Sequence, residues 1–173
     1  MNLSGTWVGF YQQGVDEVPI EVTLDHTGDQ LQGTMTEPEI ERELSISTVA
    51  LGEGWPPGQD EVVVKTLRSQ FPASGNAPIR AYSKLPANSR LTGRVVGERV
   101  EFEKTYLGIC ASGFLVGEER VLFEREGHAV SYLGHLNRER DRIEGRWSIT
   151  ASSGRTVVGA FGLKRSPTPT VEA

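Results

Sequence analysis

Lys104 is the residue whose chemistry is hardest to place passively. It shares the parity of Val100 and Phe102 in the run Val100-Glu101-Phe102-Glu103-Lys104, so a strand there turns its ammonium inward near a barrel mouth. An inward ammonium is costly unless it meets an anion or water, which leaves two readings: a lysine that snorkels to the rim, or one that binds a carboxylate. Glu101 and Glu103 share a face, as paired catalytic carboxylates would, but it is the face opposite Phe102 and points outward. They read as solvating charges.

Other reactive constellations are missing. A zinc site needs three or four converging ligands, yet the three histidines are dispersed and Cys110 is the only cysteine. His128 and His135 are separated by an odd number of residues, which on one strand puts them on opposite faces. There is no Gly-x-Ser-x-Gly elbow to raise a nucleophilic serine. The stretch Gly52-Glu53-Gly54-Trp55-Pro56-Pro57-Gly58 has the glycines of a phosphate loop, but it opens no expected helix and its prolines remove amide donors. No catalytic residue, metal or cofactor is assigned.

Composition narrows the classes further. A chain of 173 residues fits one domain with a substantial core, and 20 glycines and nine prolines among short apolar runs favour an all-β protein. A formal charge of -5 repels a polyphosphate, and the densest basic stretch, Arg138 to Arg142, is interleaved with Glu139 and Asp141, so nucleic acid is not an expected partner. No apolar run approaches the roughly 20 residues of a membrane-spanning helix. Met1-Asn2-Leu3-Ser4 lacks the basic and apolar signature of a leader, and Cys110 cannot form an internal disulfide. The expectation is a soluble, cytoplasmic protein with no membrane partner.

Eight alternating segments would position the candidates. Residues 3 to 11 place Leu3, Gly5, Trp7, Gly9 and Tyr11 on one face and Val8 and Phe10 on the other, and residues 18 to 26 place Ile20, Val22 and Leu24 together. Gly28 turns this strand into Leu31 to Thr36, and Gly97-Glu98 joins Arg90 to Val96 with Arg99 to Tyr106. Ala129 to Leu136, Arg142 to Thr150 and Arg155 to Lys164 complete the set. Eight antiparallel strands with short connections can close into an up-and-down β-barrel, here over residues 1–165, followed by a loose tail at 166–173.

Two insertions interrupt the rhythm, at about 37–88 between the third and fourth strands and at 107–127 between the fifth and sixth. The first holds six of the nine prolines, with Leu44-Ser45-Ile46 and Val62-Val63-Val64 expected as short extended pieces. Val121-Leu122-Phe123 suggests another strand in the second. No segment reads as a long amphipathic helix.

In order along the chain, Gly5-Thr6-Trp7, Leu31-Gln32-Gly33-Thr34, Leu91-Thr92-Gly93-Arg94, Val100-Glu101-Phe102, Ser131-Tyr132-Leu133-Gly134, Arg142-Ile143-Glu144-Gly145-Arg146-Trp147 and Val158-Gly159 resemble the strand motifs of the avidin and streptavidin family. That family of biotin-binding barrels is related in architecture to lipocalins within the calycins. The resemblance implies aromatic walls around a ligand, from Phe102, Tyr132 and Trp147. It also implies that the biotin-binding polar groups are largely absent: Gly9, Met35 and Phe161 stand where an amide, a phenol and a carboxylate are expected. A buried polar group left unpaired costs about 1 to 3 kcal/mol, so a less polar ligand suits these residues better.

The expected function is therefore a noncatalytic barrel holding a small apolar or amphipathic molecule in a lumen of about 300 to 1,000 Å³. Tyr11, Met35, Phe102, Lys104, Tyr132, Trp147 and Phe161 would contact it, with Lys104 or Tyr132 meeting one polar end, while Trp7 plugs the closed end. Two alternatives stand beside this. One is an interaction or assembly module with a protein partner or a homo-oligomer, using the insertions and the outward Val8 and Phe10. The other is a β-barrel cyclase or isomerase using Lys104, Tyr106 and Tyr132.

Overall fold

Alternation of buried and exposed side chains, unbroken for long stretches in β2 (Asp16–Thr27) and throughout β10 (Ala129–Leu136), is what a sheet with one dry face requires. The computed structural model describes residues 2–39, 41–53, 55–126, 129–150, 154 and 156–167. With β1 (Gly5–Gln13), β3 (Gln30–Thr36), β6 (Asn88–Val96), β7 (Arg99–Tyr106), β11 (Arg142–Thr150) and β12 (Thr156–Arg165), those two strands close a barrel in the order β1-β12-β11-β10-β7-β6-β3-β2. Every strand is antiparallel to both neighbours, and the β1 and β12 ladder closes the ring from Trp7 opposite Arg165 to Tyr11 opposite Phe161. The eight expected strands are these eight.

The residues of the two insertions meet. The first contributes β4 (Glu41–Leu44), α1 (Ile46–Gly52), α2 (Asp60–Gln70), a 3-10 turn at Pro72–Ser74 and β5 (Ile79–Lys84), and the second contributes β8 (Ile109–Val116) and β9 (Glu119–Glu126). Together they make a second antiparallel sheet in the order β4-β5-β8-β9. The helices cover it, burying Val49, Val63 and Leu67 against Ala81, Phe114 and Val116 in a core separate from that of the barrel.

This second sheet grows out of the barrel. Lys84 pairs with Ala111, Leu107 donates its N–H to Asn88 O, and Ser89 pairs with Tyr106, so β5 and β8 keep the register of the β6 and β7 hairpin. The ladder is interrupted where Pro86 lacks an N–H to give, and Gly108, at φ 132°, lies against that proline. A long hairpin thus leaves the barrel at one end and carries the extra layer with it.

The Val62 to Val64 run is helical in α2, not extended. Asp60 and Glu61 occupy the first turn, where the helix dipole favours them, and Val63 and Leu67 share one buried face four residues apart. Tertiary burial of that face outweighs the strand preference of three valines. Leu44 does end a short strand, but Ile46 begins α1. The turn at 151–153, Arg155, His128 and tail residues 168–173 lie outside the described residues.

Inside the barrel the end away from the insertions is solid. Leu3, Trp7, Leu31, Leu91, Val100 and Ile143 are fully buried, and the Trp7 indole donates to Leu3 O at 3.0 Å. Above them Phe102 stacks on Tyr132 at 4.8 Å between centroids, and Phe161 meets both edge-on. Gly134 makes room for this packing, since a Cβ there would come within 2.8 Å of both Phe161 Cζ and Ile143 Cγ2.

Candidate ligand site at the barrel mouth

Between the filled interior and the added sheet lies a cavity of about 230 Å³. The barrel lends it Tyr11, Gln13, Tyr106, Val130, Tyr132, Trp147 and Ile149, and the insertions lend Leu44, Thr48, Val49, Ser83, Leu85 and the segment Cys110 to Ser112. It is smaller than the lumen expected from sequence, and it sits at the mouth, not along the axis. Its wall is shared by both halves of the molecule, so neither the barrel nor the insertions alone would form it.

Three of the seven residues expected to contact a ligand line this cavity: Tyr11, Tyr132 and Trp147. Met35, Phe102 and Phe161 are buried in the barrel core instead, where Phe102 and Phe161 pack against the Tyr132 ring. Trp147 is held rigidly. Its ring lies over Gly159, where a Cβ would come within 2.4 Å of Nε1, and its N–H donates to Gln12 O at 2.9 Å. That carbonyl lies just past Tyr11, where the β1 and β12 ladder ends, so the indole seals the seam.

Lys104 neither snorkels nor reaches the cavity wall. Its side chain is 1% exposed, and its Nζ donates to Glu37 Oε2 at 2.9 Å and to the Tyr106 hydroxyl at 3.0 Å. The Tyr106 ring lies 4.2 Å and the Tyr11 ring 5.1 Å from the same nitrogen. Burial pulls the ammonium below its usual range while the Glu37 carboxylate pulls it back up. The anion demanded by an inward lysine is thus supplied by the chain itself.

Glu37 is the residue that sequence reasoning missed. It follows β3 directly and continues the inward parity of Leu31, Gly33 and Met35, and its N–H donates to Ala87 O in the register of β3 and β6. A carboxylate of inward parity beside an inward lysine was the available signal. The other carboxylate oxygen, Oε1, and the Tyr11 hydroxyl are both buried here, and the Tyr11 hydroxyl interacts with the Glu37 carboxylate and with Arg42. Tyr11 also has the Arg42 guanidinium over its ring at 5.5 Å, and Arg42 donates in turn to Gln13.

Burial holds the phenols of Tyr11, Tyr106 and Tyr132 well above the ordinary tyrosine range, and the nearby Glu37 carboxylate raises them further. All three are neutral at physiological pH. The cavity therefore has a floor of protonated phenols over a compensated ion pair, and walls of Leu44, Val49, Leu85, Val130 and Ile149. Among the described residues, no three His, Cys, Asp or Glu side chains converge as metal ligands, and no helix is long and apolar enough to cross a membrane. Comparison with protein-family models, with curated proteins and with solved structures finds no match to the chain.

Proposed function

We propose that the chain is a noncatalytic binding barrel of calycin-like, avidin-like architecture, whose ligand is a small apolar or amphipathic molecule seated at the mouth. The observation that carries this reading is a cavity walled by apolar side chains, floored by a few polar groups and backed by a rigid core. Its modest volume favours a ligand of one ring or a short chain. Trp147 and Tyr132, fixed by Gly159, Gln12 and Phe102, supply preformed aromatic surface.

A cyclase or isomerase would need a titratable group at the reacting atoms. Lys104 is instead sealed behind the tyrosines by Glu37, and burial keeps Tyr106 and Tyr132 protonated, so none of these three offers the cavity a base, which favours binding over catalysis. An assembly module would want a continuous apolar outer face, whereas exposed Val8 is paired with Lys164, and exposed Leu133 with Arg146.

Native mass spectrometry of freshly purified protein, paired with Trp147 fluorescence titration of small aromatic and aliphatic compounds, tests the proposal. The expected result is a retained small mass or a saturable 1:1 response that Ser112→Trp, on the cavity-facing side of β8 with Cys110, abolishes. A titration unaffected by that substitution, or no binding from a broad panel, would refute it.

A further inference from the structure

The added sheet has two edges, and they are not alike. β4 is four residues long, and its Arg42 reaches Gln13 of the barrel. β9 runs for eight residues, Glu119–Glu126, and pairs only with β8. Among the described residues, its other side makes no backbone hydrogen bond. A free edge of that length offers a row of N–H and C=O groups to another strand. Its side chains are not closed over either: Leu122 is 46% exposed on the face away from the helices, and Val121 and Phe123 are only half-buried at the rim of the second core, where Phe123 meets Phe114 edge-on.

We propose that β9 pairs antiparallel with β9 of a second copy of the chain about a two-fold axis at Leu122, joining the added sheets in the order β4-β5-β8-β9-β9-β8-β5-β4. This interface goes beyond the binding reading and does not depend on what the mouth holds. Directly opposite residues of an antiparallel pair point to the same side, so the axis falls on a residue and even positions meet even ones. Centred on Leu122, Arg120 faces Glu124 of the second copy, Val121 faces its Phe123, and Leu122 faces itself. Symmetry makes each of the first two contacts twice.

Neighbouring centres lack this self-complementarity. An axis at Val121 would set Arg120 against Leu122 and Glu119 against Phe123, and one at Phe123 would set Leu122 against Glu124. At Leu122 the opposite charges meet on the face away from the helices, while Val121 with Phe123 extends the second core over its half-exposed rim. Glu124 forms no ion pair among the described residues. Arg120 is about half exposed, and its 3.3 Å bridge to Glu41 engages one nitrogen, Nη1, so the guanidinium keeps donors for a second carboxylate.

Sedimentation equilibrium of the full chain over a range of concentrations, at low and high salt, tests the proposal. The expected result is a reversible dimer that salt weakens. Arg120→Glu sets carboxylates face to face across the axis and Glu124→Arg sets guanidiniums face to face, so each alone weakens the dimer roughly tenfold or more, as two cross-strand charge pairs turn from attraction to repulsion. Mixed in equal amounts, the two variants associate again, because each offers the charge the other needs, and this rescue separates lost pairing from lost folding. Mild oxidation links Leu122→Cys into a disulfide dimer, its Cα atoms meeting across the axis at about 4.5 to 5.5 Å.

A chain that stays monomeric overturns the proposal and leaves the edge to a strand of a different protein. A dimer indifferent to both reversals, or reversals that mixing does not rescue, puts the interface elsewhere and overturns it as well. Neither result touches the ligand cavity, since none of the residues lining it comes from β9.

Discussion

Removing one member of the buried ion pair should cost far more than removing both. Glu37 and Lys104 each have side chains only 1% exposed, and they meet at 2.9 Å. Lys104→Met would strand the carboxylate, and Glu37→Leu would strand the ammonium, each with a cost of about 3 to 5 kcal/mol. The double substitution leaves two apolar groups of suitable size and should recover most of that loss. Urea unfolding of the four proteins, read as a double-mutant cycle, measures the coupling directly. Single substitutions costing under about 1 kcal/mol, the range of exposed pairs, would show that water reaches this site and would refute the sealed floor.

Alkaline stability should be lost as pH rises above 10, the ordinary tyrosine value, because the folded phenols of Tyr11, Tyr106 and Tyr132 keep protons that the unfolded chain releases. The contribution is complete below that pH, and Tyr132→Phe should soften the decline in a pH series of denaturation curves; an unchanged series contradicts it. Gly134→Ala should destabilise by about 1 to 3 kcal/mol in urea, since its Cβ meets Phe161 and Ile143 at 2.8 Å and overpacks the stack. Gly159→Ala should displace the Trp147 indole from Gln12 O, seen as a shift in tryptophan emission and weakened ligand response, and wild-type emission would argue against the sealed seam.

The barrel was legible because each of its strands carries its own evidence. Ile20, Val22 and Leu24 alternate with Glu21 and Thr23, and the turns at Gly28 and Gly97 adopt the positive φ that glycine tolerates best. The second sheet was not legible, because β5 and β8 find each other across the β6 and β7 hairpin, and no local pattern encodes a pairing that distant. In α2 the Val62 to Val64 run favours a strand locally, and only burial of Val63 and Leu67 against that unseen sheet reverses the preference.

Much the same holds for the site. Parity put Tyr11, Lys104, Tyr132 and Trp147 on the inward face, which is where they are, but parity says nothing about depth along the axis. Depth separates Phe102 and Phe161 in the core from Tyr132 and Trp147 at the cavity. Half of the wall, including Ser83, Cys110 and Thr48, comes from insertions whose fold depends on nonlocal pairing.

The most direct test of a mouth-seated ligand is methyl NMR of the protein during titration with a bound small molecule. Val130, Ile149 and Leu44 line the cavity, whereas Leu31, Val100 and Leu163 are buried in the barrel core away from it, which gives two sets of reporters in one spectrum. The account predicts saturable shifts in the first set and little change in the second. Shifts confined to the second set, or spread over the outer face at Leu133 and Val158, would contradict it.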